Sequence, residues 1–134
     1  MKPTTKLYEV LYVSTITPTC PITVVSDISA RSRAWNTAHH ITGLLIFDGM
    51  RFCQQIEGRQ KDVLALVERI SNDMRHTNIA IFHNGPLAER RFKSFSLAFT
   101  NVDDIEVLNR LAQLDGQPAV DAFEALVATL DLAP

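Results

Sequence analysis

Three polar side chains of this chain are of types that exchange protons and hydrogen bonds with a ligand: Tyr12, Asn36 and Gln54. A phenol is a donor with an ionisable proton, and a carboxamide donates through its nitrogen while accepting through its oxygen. Strand alternation puts Tyr12 on one face with Tyr8, Val10 and Ser14, and Gln54 on one face with Met50, Phe52 and Ile56. Each has an ordinary explanation by itself: a strand tyrosine, an asparagine closing the last turn of a helix, a glutamine satisfied by backbone. For Gln54 alone the ordinary explanation is favoured, because a buried amide left unsatisfied costs about 1–3 kcal/mol. Together, set among Ile28, Phe52, Ile56 and Ile70, the three offer a surface suited to a flat heteroaromatic ligand with hydrogen-bonding edges.

The element that must position them is the stretch ITGLLIFDGMRFCQQIEG, residues 41–58. Asp48-Gly49 between two apolar runs is a strong hairpin signal. The first arm, residues 41–47, is almost continuously apolar, so the sheet is expected to be covered on both faces. In the second arm Arg51, Cys53, Gln55 and Glu57 face away from Gln54. Residues 7–14 form the preceding strand and are broken by the Thr17–Pro21 stretch TPTCP. A helix is expected over 22–38, with Val24, Val25, Ile28 and Trp35 on its apolar stripe. A second is expected over 59–74, where Val63, Leu66, Val67 and Ile70 recur at spacings of three and four. Arg69 and Asp73, four apart, fit an exposed ion pair on this helix.

A fourth strand follows over 77–84, closed by Gly85-Pro86, and FKSFSLAFT (92–100) makes a fifth. Two amphipathic helices, 103–114 and 119–132, flank Gly116-Gln117-Pro118. The order β-α-β-β-α-β-β followed by two helices predicts an α+β, ferredoxin-like sheet. Two helices cover one face, and the C-terminal pair covers the other.

Composition narrows the function. The chain has 134 residues, 46% of them apolar, and a net charge of −2, so no basic excess exists for phosphate-driven nucleic-acid binding. No apolar run reaches the length of a membrane span, and the N-terminus leads into no signal-peptide core. With Cys20 and Cys53 read as reduced thiols, a cytoplasmic location is expected. His39-His40, His76 and His83 share no ligand spacing with either cysteine, so no metal site is expected. There is no nucleophile–base pair and no glycine-rich dinucleotide fingerprint, which argues against an enzyme.

Tyr12 in LYEVLYVS, Asn36 five residues before ITGLL, FCQQIEG in the hairpin and NDMRHTNI after the second helix resemble the BLUF family, blue-light sensors using FAD. The resemblance runs in order over residues 6–100, the implied flavin-binding domain, with 101–134 as a helical cap on the same unit. It implies FAD between the two helices over the sheet. Tyr12 would be the photoactive tyrosine, giving an electron and then a proton to excited flavin, and Gln54 the amide whose rearranged hydrogen bonds shift absorption to the red. Both rotation and tautomerisation of that amide suit these residue types. Asn36 would hold the ring edge, Arg69, Asp73 and His76 would lie near the cofactor, and Ile28 and Ile70 would sandwich the ring.

Many members carry tryptophan and methionine where this chain has Phe95 and Leu97, the positions implied to relay the signal, and Trp35 stands where asparagine or histidine is common. With no effector domain after residue 134, output is expected through a separate signalling protein or a homo-oligomer. A LOV-type photoreceptor is excluded, since Cys53 follows Arg51-Phe52 rather than preceding such a pair. The alternative is a non-photochemical ferredoxin-like ligand-binding or interaction module, which would purify colourless.

Overall fold

Strand-forming β-branched and aromatic runs alternate with two helical stretches before the chain ends in a helical pair. A computed structural model describes residues 6–21, 23–92, 98–101 and 105–129. The elements are β1 (Leu7–Ile16), α1 (Val24–Ala38), β2 (Thr42–Phe47), β3 (Arg51–Arg59), α2 (Gln60–Ser71), β4 (His76–Leu87), β5 (Ala98–Asn101), α3 (Ile105–Ala112) and α4 (Gly116–Ala128). One sheet runs in the order β4-β1-β3-β2-β5. The first four strands pair antiparallel in the ferredoxin-like arrangement, and β5 joins the β2 edge in parallel.

The hairpin turn follows from its residues. Asp48 Oδ1 accepts the backbone N–H groups of Met50 (2.9 Å) and Arg51 (2.6 Å), and Gly49 supplies φ +99°. Met50 therefore belongs to the turn and is 44% exposed, not on the inward strand face expected for it. At Gly43 the two arms run so close that a Cβ would lie 2.1 Å from the Gln55 carbonyl oxygen, so only glycine fits.

Both sheet faces are covered. On the front, Val10, Ile41 and Ile56 pack with Val63 and Leu66 of α2, while Leu45, Phe47 and Phe52 pack with Val25 of α1. On the back, Leu11, Val13, Leu44, Ile46, Cys53 and Phe82 pack against Leu108 and Leu111 of α3 and Ala119 and Phe123 of α4. Burial of such side chains stabilises by about 1.5–3 kcal/mol each before entropy is counted. The buried stripe of α1 is unusually polar, comprising Val25, Ser29 and Asn36.

Several boundaries differ from expectation, each for a physical reason. Helix α2 stops at Ser71 rather than 74, because Asp73 Oδ1 accepts the Arg75 N–H (3.0 Å) in a turn that leaves Met74 exposed. Strand β4 does not close at Gly85-Pro86 but pairs with β1 as far as Leu87. Proline is tolerated there because β4 is an edge strand. Gly116-Gln117-Pro118 is the first turn of α4 rather than a separator, since a proline lacks only a hydrogen that the first turn leaves unpaired. The first half of the expected fifth strand, including Phe95 and Leu97, lies outside the described residues.

Among the described residues no helix is long and apolar enough to cross a membrane, and no cluster of metal-ligating side chains occurs.

Candidate functional site

Because β1 and β3 pair antiparallel with Tyr12 opposite Gln54, their side chains emerge side by side on the front face. The Tyr12 hydroxyl donates to Gln54 Oε1, and both residues are buried. Leu45 of β2 lies across from Gln54 and completes the row. Burial raises the Tyr12 phenol well above its ordinary range, with smaller contributions from Cys53 and Asp73, so it stays a protonated donor at neutral pH.

A cavity of about 40 Å³ sits over this pair, between α1 and the end of α2. It is lined by Tyr12, Gln54, Ile28, Ile70, Asp73 and His76, six of the residues picked out from sequence, together with Ser32, Leu45, Phe52 and Arg75. His76 bridges two elements: its Nε2 donates to the Ile70 carbonyl (2.8 Å), since a carbonyl only accepts, and its Nδ1 lies 2.8 Å from Ser14 Oγ. Asp73 is held below the usual carboxylate range, chiefly by the Arg75 side-chain hydrogen bonds, and so carries its charge.

The remaining two candidates lie apart from this cavity. Asn36 is fully buried, its carbonyl accepts the Ile41 N–H (2.9 Å), and it thereby ties the end of α1 to the start of β2. Arg69 lines a second cavity of about 120 Å³ with Arg31, Trp35 and Leu66. Its guanidinium carbon lies 3.9 Å from the centre of the Trp35 ring, which also stacks on the His39 imidazole. The ordinary Arg69–Asp73 ion pair does not form, because Asp73 takes Arg75 instead at 2.6 Å. Arg75 also reaches Asp27 of α1 (3.0 Å), so it straps the α2–β4 turn to the first helix.

Arg75, Ser32 and Trp35 line this slot and were not singled out as site residues from sequence. The signals existed: Arg75 stands inside NDMRHTNI between two residues that were chosen, and Ser32 follows Ile28 by four, on the same helical face.

The two cavities share Ser32, Ile70, Asp73 and Arg75 and so adjoin each other. The donor set fits a flavin nucleotide. Ile28, Leu45, Phe52 and Ile70 supply apolar faces for a flat ring, and Gln54, Ser32 and His76 supply groups for its polar edge. Arg69 supplies a cation for phosphate, whereas Arg31 and Arg75 are paired with Asp27 and Asp73. Trp35 Nε1 is buried there with no acceptor, an N–H available to a ligand. A wider groove of about 730 Å³ along β4, lined in part by exposed Met74 and Ile81, shares Asp73 and His76 but lacks the phenol–amide pair.

The fold is thus a ferredoxin-like sheet with a phenol and a carboxamide bonded beneath a two-helix slot. The family model described as "Sensors of blue-light using FAD", BLUF, matches residues 7–98, and the chain belongs to that family. BLUF domains bind a flavin and act as photosensor modules. The photoactivated adenylate cyclase subunit beta of Euglena gracilis is 33% identical over 90 residues, 67% of this chain but 10% of the relative. The blue light- and temperature-regulated antirepressor BluF of Escherichia coli is 28% identical over 104 residues, 74% of this chain and 26% of the relative. This chain thus spans a minor part of these relatives' lengths. The solved dark-state structure of the BLUF protein BlrB superposes with TM-score 0.78 at 29% identity, over 93% of this chain and 98% of that one. Photo-activated BlsA shows the same fold, with TM-score 0.82 at 22% identity over 96% and 99% of the two chains.

Proposed function

We propose that this protein is a blue-light photoreceptor that holds FAD between α1 and α2 and uses Tyr12 and Gln54 as its switch. The observation that carries the reading is the hydrogen bond from the Tyr12 hydroxyl to Gln54 Oε1, buried beneath a slot with polar edges and apolar faces. The bound flavin supplies absorption of blue light and, once excited, an oxidant able to draw an electron from a phenol.

The chain's own residues do the rest. Losing an electron makes the Tyr12 O–H strongly acidic, and the atom waiting for its proton is Gln54 Oε1. Proton movement along that bond changes which Gln54 atom donates and which accepts. The electron and the proton then return to Tyr12, which regains its neutral phenol, and the amide settles into a new hydrogen-bond pattern with no net covalent change to the protein. Ile28 and Ile70 hold a ring flat over the pair, while Leu45 and Phe52 exclude water that would otherwise offer competing hydrogen bonds. Asp73, His76 and Arg75 orient the ring edge, Asn36 anchors the end of α1 that closes the slot, and Arg69 serves the phosphates. Residues 6–100 form the sensor and 101–134 a cap on the same unit. Phe95 and Leu97 carry the signal to a separate signalling protein or a second copy in the cytoplasm.

The test is an absorption spectrum of purified protein before and after blue light, with the extracted flavin identified. FAD and a small, reversible red shift are expected. Colourless protein that FAD does not reconstitute would overturn the photoreceptor reading in favour of a non-photochemical binding module.

A further inference from the structure

Directly behind the switch lies a second buried carboxamide. Gln54 points to the front of β3 and Gln55, the next residue, to the back, where it is fully buried. Gln55 Nε2 donates to Glu9 Oε1 of β1 (3.2 Å), while Gln55 Oε1 has no hydrogen-bond partner. Glu9 is buried as well and holds Arg91 through two hydrogen bonds, 2.9 and 3.1 Å. Arg91 in turn donates to Glu124 on the exposed side of α4. A polar chain thus runs Gln55–Glu9–Arg91–Glu124 from β3 through β1 to the C-terminal helix, beside the apolar cluster of the back layer.

A second buried carboxylate fixes the same junction. Glu57, paired directly across from Glu9, accepts the backbone N–H groups of Arg91 and Phe92, each at 2.7 Å. Arg91 is therefore held by its side chain to Glu9 and by its main chain to Glu57.

We propose that Gln55 is the coupling residue of this protein, which transmits rearrangement at Gln54 through Glu9 and Arg91 to the position of α4. The proposal rests on the photoreceptor reading for its trigger, but the bridge itself exists without light. Gln54 and Gln55 share a peptide unit, so a new hydrogen-bond pattern on the front tilts the backbone that aims Gln55 behind. The amide bonds the side chains of both Glu9 and Glu57, the two carboxyls that hold Arg91, so a tilt of the backbone at residues 54–55 changes the contacts that fix Arg91. In the low-dielectric back layer such hydrogen bonds are strong and directional, so a displaced Glu9 carries Arg91 with it.

The experiment is amide hydrogen exchange over α4, in darkness and under blue light, for wild type, Gln55→Leu and Glu124→Gln. Glu124 is half exposed, so its variant folds even if the buried one is strained. Light is expected to change exchange over residues 116–128 in wild type, and each variant is expected to lose more than about half of that change while keeping its flavin red shift. An α4 response absent in wild type, or undiminished in both variants, overturns the proposal. A missing red shift in wild type strikes the photoreceptor reading instead. A dark arm then decides the bridge alone: because both substitutions cut one chain, the double variant should loosen α4 by less than the sum of the two. Additive effects contradict the bridge.

Discussion

Removing the Arg91 guanidinium exposes how much of this protein's stability hangs on one buried carboxylate. Glu9 is 2% exposed and faces Arg91 from the β4–β5 connection, His83 from β4 (3.3 Å), Gln55 from β3 and the Glu57 carboxyl across the strand pair. Burial, the largest single influence, raises its pKa, but hydrogen bonds from Arg91 and Gln55 and the charges of Arg91 and His83 together bring it below the ordinary value. A carboxyl depressed in the folded state adds stability above its unfolded value, roughly 4.3, and that stability is lost as pH falls through the folded value. In Arg91→Met burial prevails, Glu9 rises, and the folded variant takes up a proton at higher pH than its unfolded chain does. The deficit is then full at alkaline pH and shrinks on acidification.

Breaking a buried pair by removing one partner costs about 3–5 kcal/mol. Arg91 is itself 24% exposed, so water replaces part of the lost interaction and the lower end, about 3 kcal/mol, applies. Against a typical total of about 5–15 kcal/mol this is a large share, roughly 10 °C in Tm. Loss of the Glu124 contact adds little, since that side chain is half exposed. Urea unfolding of wild type, Arg91→Met and Arg91→Met/Glu9→Gln at about pH 8 and about pH 5 measures this, with the double variant recovering most of the alkaline loss. A cost below about 1 kcal/mol at the higher pH, or one that grows on acidification, refutes the reasoning.

Three further outcomes are expected. Gly43→Ala should destabilise strongly or fail to fold, since its Cβ meets the Gln55 carbonyl at 2.1 Å, and a melting curve within about 2 °C of wild type would contradict this register. Truncation after Thr100 should cause aggregation by light scattering, because it uncovers Leu11, Val13, Leu44 and Ile46; an equally soluble short chain would mean that the terminal helices serve a partner alone. Leu97→Met should keep flavin and red shift at a folding cost below about 1.5 kcal/mol while enlarging the light-induced exchange change over residues 92–132, through a thioether that accepts from a rearranged amide. Equal changes in both proteins would remove Leu97 from the output path.

What the sequence made legible was whatever depends on local period. Alternation assigned Tyr12 and Gln54 to the front and Leu11, Val13 and Cys53 to the back, and the helix covering each face followed from the element order. Side-chain competition at element ends was not legible. Asp73 ended α2 early by capturing Arg75, which also hid Arg75 as the strap between helices. Long-range pairing was hardest: Glu9 and Arg91 are 82 residues apart, so two buried glutamates appeared only as charges on strand faces.

The central claim is that Tyr12 and Gln54 form a light-operated hydrogen-bond switch, and the dark-minus-lit absorption difference of three proteins tests it most directly. Wild type should shift reversibly to the red, while Tyr12→Phe and Gln54→Leu should retain flavin and show no shift, because one lacks the proton and the other the acceptor. Gln55→Leu, altered on the opposite face, should shift like wild type. A normal shift in Gln54→Leu, or its loss in Gln55→Leu with flavin still bound, would contradict the account.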